Sequence, residues 1–209
     1  MPLELVFCDD LLIVAVKPAG LLSVPGRGDD KQDCLSARVQ AMHADALVVH
    51  RLDMATSGLL VFGRGAEAQR RLGDAFAQRA VDKRYVALVA GALREADGEI
   101  DLPLAADWPR RPRQQVDPVH GKPSLTRFRT LGHDARSNVT RVALQPVTGR
   151  SHQLRVHLCA IGHPILGDAL YAPPAVAAQA PRLMLHAESL VLPHPADGRR
   201  MAFEHPAPF

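Results

Sequence analysis

A chain of 209 residues with 47% hydrophobic content has room for a buried core, which excludes disorder along its whole length. Its formal net charge of +3 and pI near 9.0 are compatible with a polyanionic partner without requiring one. Three scattered cysteines, Cys8, Cys34 and Cys159, form no CxxC pair and argue against a disulfide framework or a zinc site, and no apolar run approaches the roughly 20 residues that span a bilayer.

Leu3 to Phe7 and Leu11 to Val16 are apolar runs around Asp9-Asp10, the pattern of a β-hairpin. Lys17-Pro18-Ala19-Gly20 breaks the second strand, and Pro25-Gly26-Arg27-Gly28 makes an exposed loop. Asp33 is placed to cap a helix that carries Leu35, Val39 and Met42 on one face. Beyond a loop centred on Asp53, Leu59 to Phe62 reads as a short buried strand. Ala66 to Arg79 reads as a helix with Leu72 and Phe76 inside and Arg70, Arg71 and Arg79 outside. Tyr85 to Val89 is a strand, with a turn near Gly98. Two prolines keep Asp107-Trp108-Pro109-Arg110-Arg111-Pro112-Arg113 out of regular structure. Ser124 to Thr130 and Val139 to Val147 read as paired strands. Thr148-Gly149-Arg150 is a turn, and Ser151 caps a helix with Leu154, Leu158 and Ile161 in a stripe that stops at Gly162. Leu183 to Leu192 is the last long strand expected, and Pro206-Ala207-Pro208 a loose tail. Strands and helices alternate without a βαβ rhythm, which predicts an α+β fold with a mixed, mostly antiparallel sheet, flanking helices and one domain over residues 1–209.

Four stretches carry candidate chemistry. In His50-Arg51-Leu52-Asp53-Met54-Ala55-Thr56-Ser57-Gly58-Leu59-Leu60, a carboxylate sits between a basic pair and a small-residue turn. Asp53 fits a reactive group held on a loop, as nucleophile or general base, and it equally fits a salt bridge to Arg51 or a cap for Thr56-Ser57. Metal ligation is disfavoured: the nearest acidic residues in sequence are Asp45 and Glu67, and His152 and His157 share no face. In Thr148-Gly149-Arg150-Ser151-His152-Gln153-Leu154-Arg155, Arg150 at a strand end can hold a carboxylate ionised, and helix-start amides can meet a phosphate. Arg155 there reads as a solvated helix face, while His152 and Gln153 fit either a structural or a functional role. Tyr85, after Asp82-Lys83-Arg84, fits a base-stacking aromatic beside two cations or a half-buried strand residue. Arg110, Arg111 and Arg113 make a stiff basic finger suited to an RNA backbone, or a solubilising turn. The 21 arginines against 4 lysines fit phosphate and base contacts, or a GC-rich genome, which also explains the alanine content.

These stretches, with Lys17-Pro18-Ala19-Gly20-Leu21 near the start and Arg182-Leu183-Met184-Leu185-His186-Ala187 near the end, resemble the RluA-type pseudouridine synthases over nearly the whole chain. Leu22-Ser23-Val24-Pro25-Gly26-Arg27, Asp107-Trp108-Pro109 and His163-Pro164-Ile165-Leu166-Gly167-Asp168 resemble the dual-specificity branch that acts on 23S rRNA and tRNA. The resemblance implies isomerisation of uridine to pseudouridine in structured RNA, a 23S rRNA stem-loop, a tRNA anticodon stem-loop or both, with no cofactor and no metal. It implies Asp53 as nucleophile, Arg150 as its arginine partner and Tyr85 as the aromatic that stacks on the target base and helps remove the C5 proton. Arg51 matches an arginine that enters the RNA stack when the uridine flips out, and Leu185 a residue lining the uracil pocket. His50, Lys83, Arg84, Arg110, Arg111 and Arg113 complete the expected RNA contacts.

The expected protein is cytoplasmic, monomeric and without a membrane partner. No S4-type RNA-binding domain is expected, since the first strand begins at Leu3. Two rival functions stand beside the isomerase. A glycoside hydrolase with an acidic nucleophile needs a second carboxylate, for which Asp168 is the best candidate although it reads as structural. A non-catalytic RNA-binding module needs no reactive carboxylate at all.

Overall fold

The computed structural model describes residues 3–209. In chain order its elements are β1 (Glu4–Cys8), β2 (Leu12–Lys17), α1 (Leu35–Gln40), β3 (Ala46–Val48), β4 (Ser57–Arg64), α2 (Gly65–Ala77), β5 (Asp82–Ala90) and β6 (Asp97–Asp101). There follow β7 (Leu104–Ala106), β8 (Gln114–Val116), β9 (Leu125–Asp134), β10 (Val139–Pro146), α3 (Gln153–Ala160), α4 (Pro174–Ala177), β11 (Leu185–Pro193) and β12 (Arg200–Glu204). The fold is α+β, a mixed sheet with few helices. Its residues fall into two compact units: one runs to Lys83 and resumes over Ala187–Pro208, the other covers Arg84–His186 with Phe209.

The first unit is ordered β1-β2-β4-β11, with β3 added on β4 and β12 on β11. β1 pairs antiparallel with β2, β2 with β4, and β11 with β12. Val14, Leu59, Val61, Leu190 and Leu192 form one side of the core with Leu72 and Ala75 of α2. The alternate residues Ile13, Ala15, Leu60 and Phe62 are also fully buried, so both faces of β2 and β4 are covered. That double burial is why these strands read as unbroken apolar runs; each large side chain so buried contributes about 1.5–3 kcal/mol. Gly58 has φ +118°, and a Cβ there would lie 2.3 Å from the Ala187 carbonyl oxygen. Only glycine lets β4 begin so close to the β11 backbone.

The second unit is ordered β5-β10-β9-β6, each neighbour antiparallel, with Leu144 of β10 opposite both Tyr85 and Phe128. β7 and β8 make a separate two-stranded ladder whose connection is the Asp107–Arg113 loop. That segment is irregular apart from one 3-10 turn at Trp108–Arg110, as its prolines require.

Three local expectations are corrected and one is refined. The turn expected near Gly98 bends over residues 94–96, and Gly98 itself lies inside β6, where the Phe128 ring packs in the space a side chain would need. Cys34 rather than Asp33 caps α1, its Sγ accepting from Ala37 N at 3.4 Å, because Arg38 takes the Asp33 carboxylate through two hydrogen bonds of 2.8 and 2.7 Å. Ser151 does not cap α3. His152 occupies the position before the helix, in the left-handed region at φ 55° and with no capping hydrogen bond from its side chain, and Gln153 fastens the turn from inside the helix. Arg155 is not on a solvated face: its side chain is 5% exposed and forms a bidentate pair with Asp168. The short elements β3, β7, β8, α4 and β12 are additions to the expected set.

Candidate active site

In the first unit the Asp53 loop is clamped on both sides by the segment after β2. The Ser23 hydroxyl donates to the Leu52 carbonyl at 2.7 Å and accepts from Leu52 N at 3.1 Å. Gly20 N donates to the Met54 carbonyl at 2.8 Å. The Lys17 ammonium donates to that same carbonyl at 3.0 Å and to those of Pro18 and Leu21 at 2.9 and 2.7 Å. Thr56 N closes the turn onto the Asp53 carbonyl at 3.1 Å. Leu52 is buried, Asp53 partly exposed, and Arg51 and Met54 exposed, so the candidate carboxylate stands on a fixed backbone with access to solvent.

Lys17 is fully buried. Burial pushes its ammonium down to about 7, and the negative charge of Asp53 opposes that shift. Three carbonyl acceptors use all three N–H donors of an ammonium. A cation thus sits beneath the Asp53 loop, held by the backbone atoms that shape it. Lys17 is the last residue of β2, and the break expected over Lys17-Pro18-Ala19-Gly20 begins after it; a lone lysine closing an apolar run is the only local sign of its burial.

His50 has a structural task. Val61 N donates to its Nε2 at 3.1 Å, and the ring stacks on Phe76 with centroids 4.5 Å apart. A backbone N–H can only donate, so Nε2 must be unprotonated and the ring neutral. Burial, reinforced by the Lys83 charge, pushes His50 down to about 3. Its expected role as an RNA contact gives way to holding the start of the Asp53 loop against β4. The neutral ring contributes stability that is present above its unfolded pKa near 6.5 and lost as pH falls toward 3. Wild-type protein should lose on the order of 2 kcal/mol from this source between pH 7 and pH 4, a figure discounted for the residue's partial exposure. His50→Gln, which keeps an acceptor for Val61 N, should lose less. Urea melts at the two pH values measure this, and equal losses would remove His50 from the account.

Lys83 and Arg84 lie at the start of β5, Lys83 partly buried with its ammonium lowered by desolvation and Arg84 exposed. Tyr85 is half-buried in the same strand, and Leu185 is buried at the start of β11. In the second unit Arg150 is exposed at the end of its turn, with Nε donating to the Pro123 carbonyl at 3.3 Å. The turn is built by buried Gln153. Its Oε1 accepts from Arg150 N at 3.0 Å and from the Thr148 hydroxyl at 2.7 Å, and its amide nitrogen donates to the Leu125 carbonyl and the Thr126 hydroxyl, both at 3.0 Å. Gln153 therefore resolves as a positioning residue for Arg150.

The three finger arginines share a loop but not a role. Arg110 pairs with buried Asp107 at 2.6 Å, Arg111 lies 3.6 Å over the Trp108 ring, and Arg113 lies 5.4 Å from the Tyr171 ring. Tyr171 was not anticipated. Its hydroxyl accepts from Gln114 N at 2.8 Å and lies 2.5 Å from His152 Nδ1, tying the end of the finger to the turn that carries Arg150. Asp168 is structural: besides Arg155 it accepts from Leu170 N and Tyr171 N. No helix among the described residues is long and apolar enough to cross a membrane.

A family described as RNA pseudouridylate synthase matches residues 11–160. The dual-specificity RNA pseudouridine synthase RluA of Escherichia coli (strain K12) is 50% identical over 207 residues, covering 99% of this chain and 94% of that protein. Its namesake from Haemophilus influenzae (strain ATCC 51907) is 46% identical with the same coverage. The solved structure of human RNA pseudouridylate synthase domain containing 1 superposes with a TM-score of 0.83 at 30% identity, over all of this chain and 84% of that one. The motif around Asp53, the clamped loop that presents it and near-full-length similarity agree: the chain belongs to the RluA-type RNA pseudouridine synthases, enzymes that isomerise uridine within RNA.

Proposed function

We propose that Asp53 is the nucleophile that opens the isomerisation of a flipped-out uridine. The C1′–N1 bond breaks, the uracil turns, and C1′ rejoins at C5; the C5 proton leaves and N1 ends protonated. Atoms balance without oxidant, reductant or leaving group, so the chemistry calls for no cofactor. The observation that carries the reading is the clamp of Ser23, Gly20 and Lys17 on Leu52 and Met54, which fixes the backbone on both sides of the one carboxylate in the motif.

The remaining roles follow the family resemblance. Tyr85 stacks on the target base and assists loss of the C5 proton, Arg150 pairs with the nucleophile, Leu185 lines the uracil pocket, and Arg51 enters the stack that the uridine leaves. Extruding a base costs a few kcal/mol, of which aromatic stacking returns about 1–3 kcal/mol. Phosphate contacts from Lys83, Arg84, Arg110, Arg111 and Arg113 supply the rest. The substrate is a structured stem-loop of rRNA, tRNA or both, by analogy with the dual-specificity relatives. Residues 1–209 act as one catalytic domain, as a cytoplasmic monomer.

The test is an RNA labelled with tritium at uridine C5. Turnover should release tritium to water in step with pseudouridine and leave the RNA mass otherwise unchanged. Free uracil would identify a glycoside hydrolase, and tight binding without release of any label would identify a binding module. Mapping pseudouridine in rRNA and tRNA from cells that lack the protein then fixes the site.

A further inference from the structure

The loop between β7 and β8 carries the only tryptophan of the chain. Trp108 is 66% exposed, an unusual position for so large an apolar ring. The loop around it is well fixed. Arg110 N donates to the Asp107 carbonyl at 3.1 Å, Arg113 N to the Arg110 carbonyl at 3.0 Å, and Asp107 N to the Arg113 carbonyl at 2.9 Å. The Arg110–Asp107 pair stiffens it further, and the Gln114–Tyr171 hydrogen bond pins its exit. Exposure of the indole is thus built into an ordered loop.

The Arg111 guanidinium stacks on the Trp108 ring, which covers one face with a cation whose N–H edges point outward in its own plane. An exposed aromatic face beside stacked and neighbouring arginines is the combination that holds unpaired nucleobases: every base has a π-face, and its phosphate lies within reach of the cations. We propose that Trp108 is a stacking platform for an unpaired base of the RNA substrate, a base other than the reacting uridine, with Arg111 as its charged backing. This deepens the proposed function and rests on it, since the ligand is the same RNA.

A single tryptophan makes the test direct. Its emission is recorded while Asp53→Asn protein, which should hold RNA without converting it, is titrated with a stem-loop that the wild type isomerises. A fully paired duplex of equal length is the control. The stem-loop should quench and shift the emission to saturation, and the duplex should not. Trp108→Ala should weaken stem-loop binding by about 5- to 150-fold, and Trp108→Phe by less. The slope of log affinity against log salt should be unchanged in Trp108→Ala but reduced by about 1 in Arg111→Ala. Unchanged emission, or unchanged affinity in Trp108→Ala, with a stem-loop that the wild type isomerises overturns the platform alone and leaves the enzyme assignment standing. If no RNA is isomerised by the wild type, the functional reading fails and the platform with it. Circular dichroism of Trp108→Ala separates loss of contact from loss of fold.

Discussion

Asp53→Asn should bind RNA with near wild-type affinity and form no pseudouridine, a loss of about 10⁴-fold or more in single-turnover rate. The substitution replaces one carboxylate oxygen by an amide NH2 and leaves the backbone hydrogen bonds on both sides of the residue in place. Leu52 remains fastened to Ser23, and Met54 to Gly20 and Lys17, through backbone atoms that the change leaves in place. An amide at this position is a far weaker nucleophile and carries no charge, so the proposed opening step loses its attacking group. One electrostatic side effect is expected. The Asp53 charge opposes the lowering of the Lys17 ammonium by burial, so the variant should hold the Lys17 proton less tightly than the wild type. Filter binding and tritium release on the same RNA separate the two quantities. Retained turnover with unaltered binding would remove Asp53 from the nucleophile role, and a parallel collapse of both would assign it to loop structure.

The parts of the site visible in the sequence are those whose chemistry is carried by residue type and local order. Asp53 stands beside Arg51 and ahead of Thr56-Ser57-Gly58, and its irregular, partly exposed loop was legible from that order alone. The β2 and β4 strands were legible from their apolar runs, and the β9–β10 pair from its alternation. What escaped was decided by partners distant in sequence. Arg155 sits on a helix where a single arginine reads as solvated, but Asp168, thirteen residues on, draws it inside. Lys17 is held by carbonyls that include Met54, 37 residues away. His50 looks like a cation beside Arg51 until Val61 N meets its ring. Tyr171 acts through Gln114 and His152, 57 and 19 residues away. Local pattern singles out the proposed nucleophile; the groups that hold its loop are fixed by long-range hydrogen bonds that no window of sequence contains.

The second large effect expected is on stability. Arg155→Met should destabilise the fold by about 3–5 kcal/mol, because it leaves the Asp168 carboxylate buried without its cation. The pair is bidentate, at 2.8 and 2.7 Å, with side-chain exposures of 5% and 1%. Methionine matches much of the arginine stem, so a cavity adds little to the cost. For a chain of this length each kcal/mol lowers the melting temperature by about 2–4 °C, which predicts a fall of roughly 10 °C. Asp168→Asn should recover part of that loss when combined with Arg155→Met, since a neutral amide oxygen still accepts from Leu170 N and Tyr171 N. Urea melts of the four proteins give the coupling, expected to exceed about 1 kcal/mol. A loss below about 1 kcal/mol in Arg155→Met would mean that water reaches the carboxylate and that the pair is not a structural core. The consequence extends to RNA binding. Asp168 sets the turn that places Tyr171, and the Tyr171 hydroxyl meets Gln114 N at the exit of the arginine loop and His152 at the turn of Arg150. Arg155→Met should therefore weaken RNA binding even at temperatures where the protein stays folded, and Tyr171→Phe should reproduce that weakening without the loss of stability. A Tyr171→Phe variant with unaltered affinity would confine the Arg155–Asp168 pair to stability alone.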